Sequence, residues 1–425
     1  MLLVVKFAKT VRNNWKKSVF FSGVVTYGVI YTKNYIDTQD LMRLYCQKAA
    51  KFGKQPLPLH INPRHITVIL NPSANKRKAN EEFEKYCAPL LHLAGITVEI
   101  KKTESEGHAK TIIEEIGGTD AIVIAGGDGT LSEVVTGLLR KTNDKTSNIP
   151  LGILPLGKTN SIASVQFPGK KKIEKVKALA DATMAIIEES IRPVDVMKIE
   201  LLSNDESDDV NNKPVYAVSS LKWGAYRDAA ARKDSYWYFG PLRNYATYIF
   251  NGFKSKLSWN CEAQITYSAP CEGCSNCYKR NDTVSNGGFF SKFMKGDPIQ
   301  AKYLAINNPE CQICHEKKIC TSDLALSTQN IIPQTKEMLP KLVVEIGPDH
   351  VDYLDFVKNG FKLEKGEKKD IKEVIEAKSI NINPENDRQD TWFSIDNEDF
   401  EVRPIKITLL PRIINIFCKK DSINV

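Results

Sequence analysis

Residues 120–130 read Asp-Ala-Ile-Val-Ile-Ala-Gly-Gly-Asp-Gly-Thr: an apolar run that stops on two glycines, followed by an aspartate, a third glycine and a threonine. Main-chain N–H groups without Cβ neighbours can approach phosphate oxygens closely, and a helix starting just behind them adds its positive N-terminal end. An aspartate in the middle of that turn is placed to activate a hydroxyl, or to hold a metal, beside those phosphates. The combination points to phosphoryl transfer. Alone, the glycines match neither the dinucleotide fingerprint G-x-G-x-x-G nor the P-loop G-x-x-x-x-G-K-[ST]. A tight strand-to-helix turn with an Asx-type hydrogen bond from Asp128 would read the same way.

The elements that must position Asp128 narrow the choice. Residues 121–125 have the length and β-branched content of a buried strand, and residues 130–140 read as a helix. His65–Leu70 is another short strand, ending in Asn71-Pro72-Ser73-Ala74-Asn75 and then Lys76-Arg77-Lys78. Residues 96–101 form a third, running through Thr103 into Gly107-His108-Ala109 at a helix start. Residues 150–154 form a fourth, ending in Pro155-Leu156-Gly157-Lys158-Thr159-Asn160. Four strands thus end in loops of small, amide or hydroxyl residues, each followed by a helical pattern. In a parallel sheet such ends share one edge, where ligands bind. The arrangement is that of a nucleotide site.

In this order, NPSAN, the T-x-x-x-G-H-A spacing at 103–109, GGDGT, PLGKTNS and a late Ile395-Asp396-Asn397-Glu398 resemble the motifs of the diacylglycerol and sphingosine kinase superfamily. The basic N-terminus, the WGAYRDA run at 223–229 and PLGKTNS in place of a GTGN-type loop are most similar to its mitochondrial acylglycerol kinase branch. The resemblance covers nearly the whole chain. It implies that Asn71 and the basic stretch at Lys76 hold ATP and that Thr103 reaches the nucleotide from the second loop. Gly126, Gly127 and Gly129, with Thr130 and Gly157, would cradle phosphate. Asp128 would be the base or the Mg²⁺ organiser for a lipid hydroxyl, with Glu398 facing it from the other domain. Asp195 and Asp228 are similar to acidic positions where the second domain meets the cleft; salt bridging at a domain junction is the competing reading. Glu133 reads as a support for Asp128 or as a surface glutamate. Two positions depart from the pattern. Asn397 replaces the glycine of I-D-G-E, so that turn must accept an asparagine, which tolerates the left-handed region better than most residues. Thr159 replaces the second glycine of the GTGN-type loop.

At 425 residues, with 42% hydrophobic and 26% charged residues, the chain is long enough for two globular domains. The expected fold class is α/β. An N-terminal, parallel-sheet nucleotide-binding domain over residues 60–190 is followed by a mostly antiparallel, β-rich domain over 194–425, which the resemblance makes the lipid-binding one. Strands are expected at 194–202, 215–221, 262–267, 302–306, 341–346 and 405–410. Residues 204–212, acidic and amide-rich, read as a loop, and the charge run 364–373 as a solvated loop or helix face.

Residues 1–36 carry Lys6, Lys9, Arg12, Lys16, Lys17 and Lys33, with no acid before Asp37, and so hold most of the formal +8 charge. Ser18 to Thr32 is uncharged and mostly apolar. As a helix it spans about 22 Å, short of the roughly 30 Å of bilayer hydrocarbon. An acid-free, basic start of this kind suits mitochondrial targeting better than secretion. The resemblance implies an inner-membrane anchor, with the body facing the intermembrane space.

Cys271, Cys274 and Cys277 form C-x₂-C-x₂-C, and Cys311-x₂-Cys314 follows within the 271–320 insertion. Pairing Cys271 and Cys274 with Cys311 and Cys314 could make a structural Zn²⁺ site or disulfides, with free thiols as the third reading. The aromatic stretch Tyr236-Trp237-Tyr238-Phe239, continued by Tyr245, Tyr248, Phe250 and Phe253, reads as helix core or as an interfacial surface. Nucleic acid is excluded as a partner class, because the basic excess sits in the leader and no binding motif accompanies the aromatics. The expected activity is ATP- and Mg²⁺-dependent phosphorylation of monoacylglycerol or diacylglycerol, giving lysophosphatidic and phosphatidic acid. The alternative is a structural subunit of the inner-membrane carrier translocase.

Overall fold

Strands buried on both faces read as unbroken apolar runs, and the strands at 65–70, 121–126 and 151–155 owe their legibility to that burial, whereas the edge strand at 97–102 is mostly exposed. The computed structural model describes residues 13–56, 58, 62–142, 149–169, 171–202, 213–253, 257–271, 273–275, 306–331, 339–385 and 391–419. In chain order, its first half contains α1 (Trp15–Gly53), β1 (His65–Leu70), β2 (Thr97–Lys102), α2 (His108–Glu115), β3 (Ala121–Gly126), α3 (Asp128–Thr142), β4 (Leu151–Pro155), α4 (Ser161–Gln166) and α5 (Lys172–Ile187). The four strands are parallel, in the order β2-β1-β3-β4. Alternate residues of β3 serve two cores. Ala121, Val123 and Ala125 join the cluster that contains α1 and α5, while Ile122 and Ile124 join the one that contains α2 and α3.

Helix α1 is longer than the apolar stretch the sequence marks out. Its buried residues Thr38, Met42, Tyr45 and Ala49 recur at helical spacing. Burying each of Met42 and Tyr45 contributes about 1.5–3 kcal/mol, and the Tyr45 hydroxyl donates to the Asp181 carboxylate. The preceding turns expose Phe20, Phe21, Tyr27 and Ile30. Among the described residues no helix is long and apolar enough to cross a membrane. Lys6, Lys9 and Arg12 lie outside them.

The second half contains β5 (Ile191–Leu201), β6 (Val215–Ala217), β7 (Ser220–Gly224), α6 (Ala225–Ala231), α7 (Arg243–Asn251), β8 (Cys261–Ser268), β9 (Cys314–Thr321), β10 (Asp323–Ser327), β11 (Leu342–Ile346), α8 (Tyr353–Lys365), β12 (Glu373–Ala377), β13 (Ser379–Pro384), β14 (Trp392–Ile395), β15 (Glu398–Glu401) and β16 (Ile405–Phe417). A second sheet, β12-β11-β10-β7-β14-β15, is antiparallel throughout. The first sheet continues from β4 through β16, β13, β8 and β9, with β5 also paired to β16. Trp223, Leu326 and Phe393 of the second sheet share a core with Ile265, Ile380 and Ile407 of the extended first sheet.

Two expected strands come out differently, each for a local reason. Residues 215–221 are not one strand, because the chain passes from the first sheet to the second at residues 218–219. There the Asp396 carboxylate accepts the N–H groups of Val218, Ser219 and Ser220 at 2.7, 2.9 and 2.9 Å, taking donors that a continuous strand would give to its neighbour. The strand expected at 405–410 runs on to Phe417 through a bulge between Leu410 and Ile414, with Arg412 at φ 52°. Its far end pairs with β4 at Ile416 and Leu151, so this late strand is built into the N-terminal sheet. The first and second halves of the chain therefore share one sheet.

The charge run 364–373 is not uniformly solvated: Lys369 pairs with Asp323, both side chains almost fully buried. Of the strand expected at 302–306, residues 302–305 lie outside the described residues and Ile306 is not in a strand; the loop expected at 204–212 lies wholly outside them. The aromatic stretch divides between its two readings. Tyr236 and Tyr248 are buried, whereas Trp237, Tyr238 and Phe253 are exposed.

Candidate active site

The parallel strands deliver their C-terminal ends to one edge, and the loops leaving them surround a cleft of about 460 Å³. Asn71, Lys76 and Thr103 line it from the first two loops, Gly127 to Thr130 from the third, and Gly157 from the fourth. Glu398 closes it from the second sheet. Gly126 is the last residue of β3, just behind the cleft wall. Sequence-predicted residues separated by more than three hundred positions thus meet at one place.

Asp128 is the first residue of α3 rather than the middle of a turn, because the helix starts two residues earlier than the apolar pattern shows. It is 3% exposed. Its Oδ1 accepts the Ser161 N–H at 2.7 Å, and its Oδ2 accepts the Ser161 hydroxyl at 2.9 Å and the Asn397 amide at 2.8 Å. Burial pushes its carboxyl above the ordinary aspartate range, against the opposing pull of those hydrogen bonds. The Thr159 side chain is a further hydrogen-bond partner, so donors from the fourth loop and from Asn397 hold the carboxylate in one orientation at the cleft.

The glycines are needed for close approach. A Cβ on Gly157 would lie 2.2 Å from the Gly127 Cα, and one on Gly127 would lie 2.9 Å from the Thr159 carbonyl oxygen, so the third and fourth loops touch backbone to backbone. A Cβ on Gly129 would lie 2.3 Å from Glu398 Oε1. Glu398 therefore rests on the first turn of α3, next to Asp128. Burial, and then repulsion from Glu133, pushes its carboxyl up to about 7.

Around this pair, Asn71 donates to Thr130 Oγ1 at 3.1 Å and accepts the Ser73 N–H at 3.0 Å, which stiffens the first loop. Asn75, Lys76 and Arg77 all have positive φ, an unusual run for residues with side chains. Thr103 is buried, and its N–H donates to the Leu70 carbonyl at 2.9 Å. Glu133 is neither a surface residue nor a partner of Asp128. It is buried and accepts the N–H groups of Gly107 and Ala109 at 2.9 and 3.2 Å, capping α2.

Asp195 and Asp228 do not line the cleft. The Asp195 carboxylate accepts the Arg412 N–H at 2.8 Å at the β16 bulge. Asp228 accepts the Ser258 N–H at 2.9 Å and pairs with the buried Arg227 at 3.0 Å. Of the four cysteines singled out, Cys271, Cys274 and Cys311 come together, whereas Cys314 is exposed on β9. Cys277 lies outside the described residues.

Reasoning on the sequence missed Ser161, Asp396, Lys158 and Lys222. Ser161 closes the PLGKTNS motif, and Asp396 sits inside the late I-D-N-E motif, so both had a signal. Asp396 and Asn397, at φ 47° and 68°, form the two-residue turn between the paired Ile395 and Glu398. That is the type I′ geometry asparagine and aspartate accept. Burial, and then repulsion from Asp128, pushes the Asp396 carboxyl up to about 6. Lys158 pairs with Asp234 across the interface between the halves of the chain. Lys222 interrupts the apolar strand β7; the protein surrounding it lowers its ammonium below the ordinary lysine range, while Asp128 and Asp396 oppose that shift.

The sequence profile of the diacylglycerol kinase catalytic domain matches residues 65–199, and that of the acylglycerol kinase C-terminal region matches 218–424. The mitochondrial acylglycerol kinase of Homo sapiens is 34% identical over 97% of this chain and 96% of its own length. The chain belongs to the acylglycerol kinase family. The Xenopus laevis protein of the same name is 32% identical over 98% of this chain and 96% of its own. Mus musculus sphingosine kinase 1 is 29% identical over 44% of this chain and 48% of its own length. The fold is also that of a solved structure of a proposed diacylglycerol kinase from Bacillus anthracis str. Sterne, with TM-score 0.52, 16% identity, 86% of this chain and all of that one covered.

Against the family's I-D-G-E pattern, Asn397 does more than tolerate the turn, since it donates to Asp128. Asn397→Gly keeps a residue suited to φ 68° but removes that donor. Losing a hydrogen bond to a charged group is expected to lower kcat about tenfold, with little change in KM for nucleotide or in Tm. Steady-state kinetics beside a melting curve check this.

Proposed function

We propose that this chain is an ATP-dependent lipid kinase that phosphorylates the free hydroxyl of monoacylglycerol or diacylglycerol, giving lysophosphatidic and phosphatidic acid. The observation that carries the reading is Asp128. It is buried at the start of α3, oriented by donors from Ser161, Thr159 and Asn397, and lies between a side-chain-free loop contact and Glu398. The names of the relatives support the substrate class.

In this reading the N–H groups around Gly127 and Gly129, at the start of α3, face the phosphates, and Lys76 and Asn71 hold the nucleotide from the first loop. Asp128 accepts the lipid hydroxyl's hydrogen bond, aligns its oxygen and takes its proton as the oxygen attacks. Two carboxylates, Asp128 and Glu398, form an oxygen donor set that suits Mg²⁺. When bound, that ion offsets the charge on the transferring phosphoryl group. The lipid enters from the second domain. The reading extends to location, a mitochondrial inner membrane with the body facing the intermembrane space. The basic leader, the apolar residues exposed on α1 and the relatives' names support it.

Glu398 gives the reaction a pH dependence. Its carboxyl is pushed up to about 7, so acidification through that value protonates it and removes a charge that supports a cation. The wild-type kcat/KM is expected to fall on the acid side with a midpoint near pH 7, while Glu398→Gln is slower and flat across about pH 6 to 8. The same upward shift makes Glu398 favour folding less as pH rises from the ordinary glutamate range to about 7.

The test of the activity is transfer of labelled γ-phosphate from ATP–Mg²⁺ to monoacylglycerol, diacylglycerol, ceramide and sphingosine in mixed micelles, with the products identified by mass. Label on an acylglycerol is the expected result. Label confined to ceramide or sphingosine, or absent from every lipid, would overturn the substrate assignment.

A further inference from the structure

A second set of residues with chemistry lies away from the cleft. Strands β8 and β9 are neighbours, and their paired ends are Ser268 and Cys314. Cys271 and Cys274 follow the first of these ends, and Cys311 lies in the 3-10 turn Pro309–Gln312 that precedes the second. The backbone fastens the same place, where the Ser275 N–H donates to the Ile306 carbonyl at 2.9 Å. As a result the sulfurs of Cys271, Cys274 and Cys311 all lie within 4.8 Å of one another. Cys274 is fully buried, Cys311 is buried and Cys271 half-buried.

We infer that Cys271, Cys274 and Cys311 form a structural zinc site. Zinc–thiolate bonds of about 2.3 Å in a tetrahedron set the sulfurs about 3.8 Å apart, a separation that falls within the observed grouping. Three sulfurs are a soft donor set that selects zinc over magnesium, the reverse of the carboxylate-lined cleft. A donor and a cation lie beside the sulfurs. Asn308 Nδ2 donates to Cys271 Sγ at 3.5 Å, and Lys378 Nζ lies 4.0 Å from Cys311 Sγ, bringing a positive charge to a site whose three thiolates outweigh the ion. A structural tetrahedral site takes a fourth donor beside the three sulfurs that meet among the described residues.

Binding exchanges each S–H bond for an S–Zn bond and releases the protons to solvent, with no oxidation or reduction. The ion ties the chain after β8 to the chain before β9 and closes the segment between residues 275 and 310. Closing a long segment lowers the entropy of the unfolded chain more than that of the fold, so the site acts as a clip on the second domain. None of the three cysteines lines the catalytic cleft. Zinc content is therefore read out without relying on kinase activity.

The experiment uses the full chain, purified without chelators under reducing conditions, with metal content measured by elemental analysis and by release to a chromogenic indicator when a mercurial blocks the thiols. About one zinc per chain is expected in the wild type and in Cys314→Ser, with at least a tenfold loss in Cys311→Ser. Should Cys311→Ser fail to fold, cobalt substitution in the wild type is expected to give thiolate-to-cobalt charge transfer and tetrahedral ligand-field bands. Less than about a tenth of a zinc per chain together with no such cobalt spectrum would overturn the site. So would full zinc retention in folded Cys311→Ser, or an intact mass and thiol count showing two of the three joined as a disulfide.

Discussion

Asp128→Asn is expected to cut turnover about 10³-fold, or about 4 kcal/mol of transition-state stabilisation, and leave a folded protein. The carboxamide is close in shape but has one oxygen where the carboxylate has two. Donors converge on this side chain from Ser161 N, Ser161 Oγ and Asn397 Nδ2, with the Thr159 side chain as a further partner. The serine hydroxyl can rotate to accept from the new amide, so the substitution leaves about one donor without a partner, at about 1–3 kcal/mol. The hydrophobic clusters on either side of the first sheet do not include Asp128. Melting should shift by a few degrees while turnover nearly disappears. Turnover within tenfold of wild type would remove Asp128 from the chemistry.

Gly127→Glu is expected to abolish turnover by a different route, with loss of nucleotide binding. Its Cβ would sit 2.9 Å from the Thr159 carbonyl oxygen, a distance that forces the third and fourth loops apart. The added carboxylate would stand where the cradle must accept phosphate, beside Asp128 and Glu398. Repulsion and separation act together, so ATP binding measured by calorimetry should fall below detection. A cradle elsewhere in the molecule would leave that binding intact. The contrast with Asp128→Asn is informative, since that variant is expected to bind nucleotide at near wild-type affinity.

How much of this was legible in the sequence follows from how local each signal is. β1, β3 and β4 are short and buried on both faces, and their loops carry glycine, asparagine and aspartate in order, so the nucleotide edge could be read directly. Strand β9 was not legible: Cys-His-Glu-Lys-Lys-Ile-Cys-Thr has too few apolar residues to mark a strand, and its pairing with β8 supplies what its composition lacks. Strands β14 and β15 have four residues each around a two-residue turn, too short for periodicity to show.

The misplaced roles share one cause, in that the partners are distant in sequence. Asp396 holds backbone groups about 180 positions away, where the chain changes sheets. Glu133 looked like a helix-surface residue because nothing near it in sequence shows that it caps α2. Asp195 is occupied by the backbone of Arg412, and Asp228 by Ser258 and Arg227, so both buried acids have structural partners outside the cleft. Glu398, by contrast, could be placed from its motif, and the contact with Gly129 gives the physical reason for both residue types.

The most direct test of the central claim is single-turnover transfer from labelled ATP–Mg²⁺ to diacylglycerol, comparing wild type with Asp128→Asn at nucleotide concentrations that saturate both. Rapid formation of labelled phosphatidic acid by the wild type, and an approximately 10³-fold slower rate in the variant despite bound nucleotide, is the predicted result. Equal single-turnover rates for the two proteins would contradict the account and move the chemistry away from Asp128.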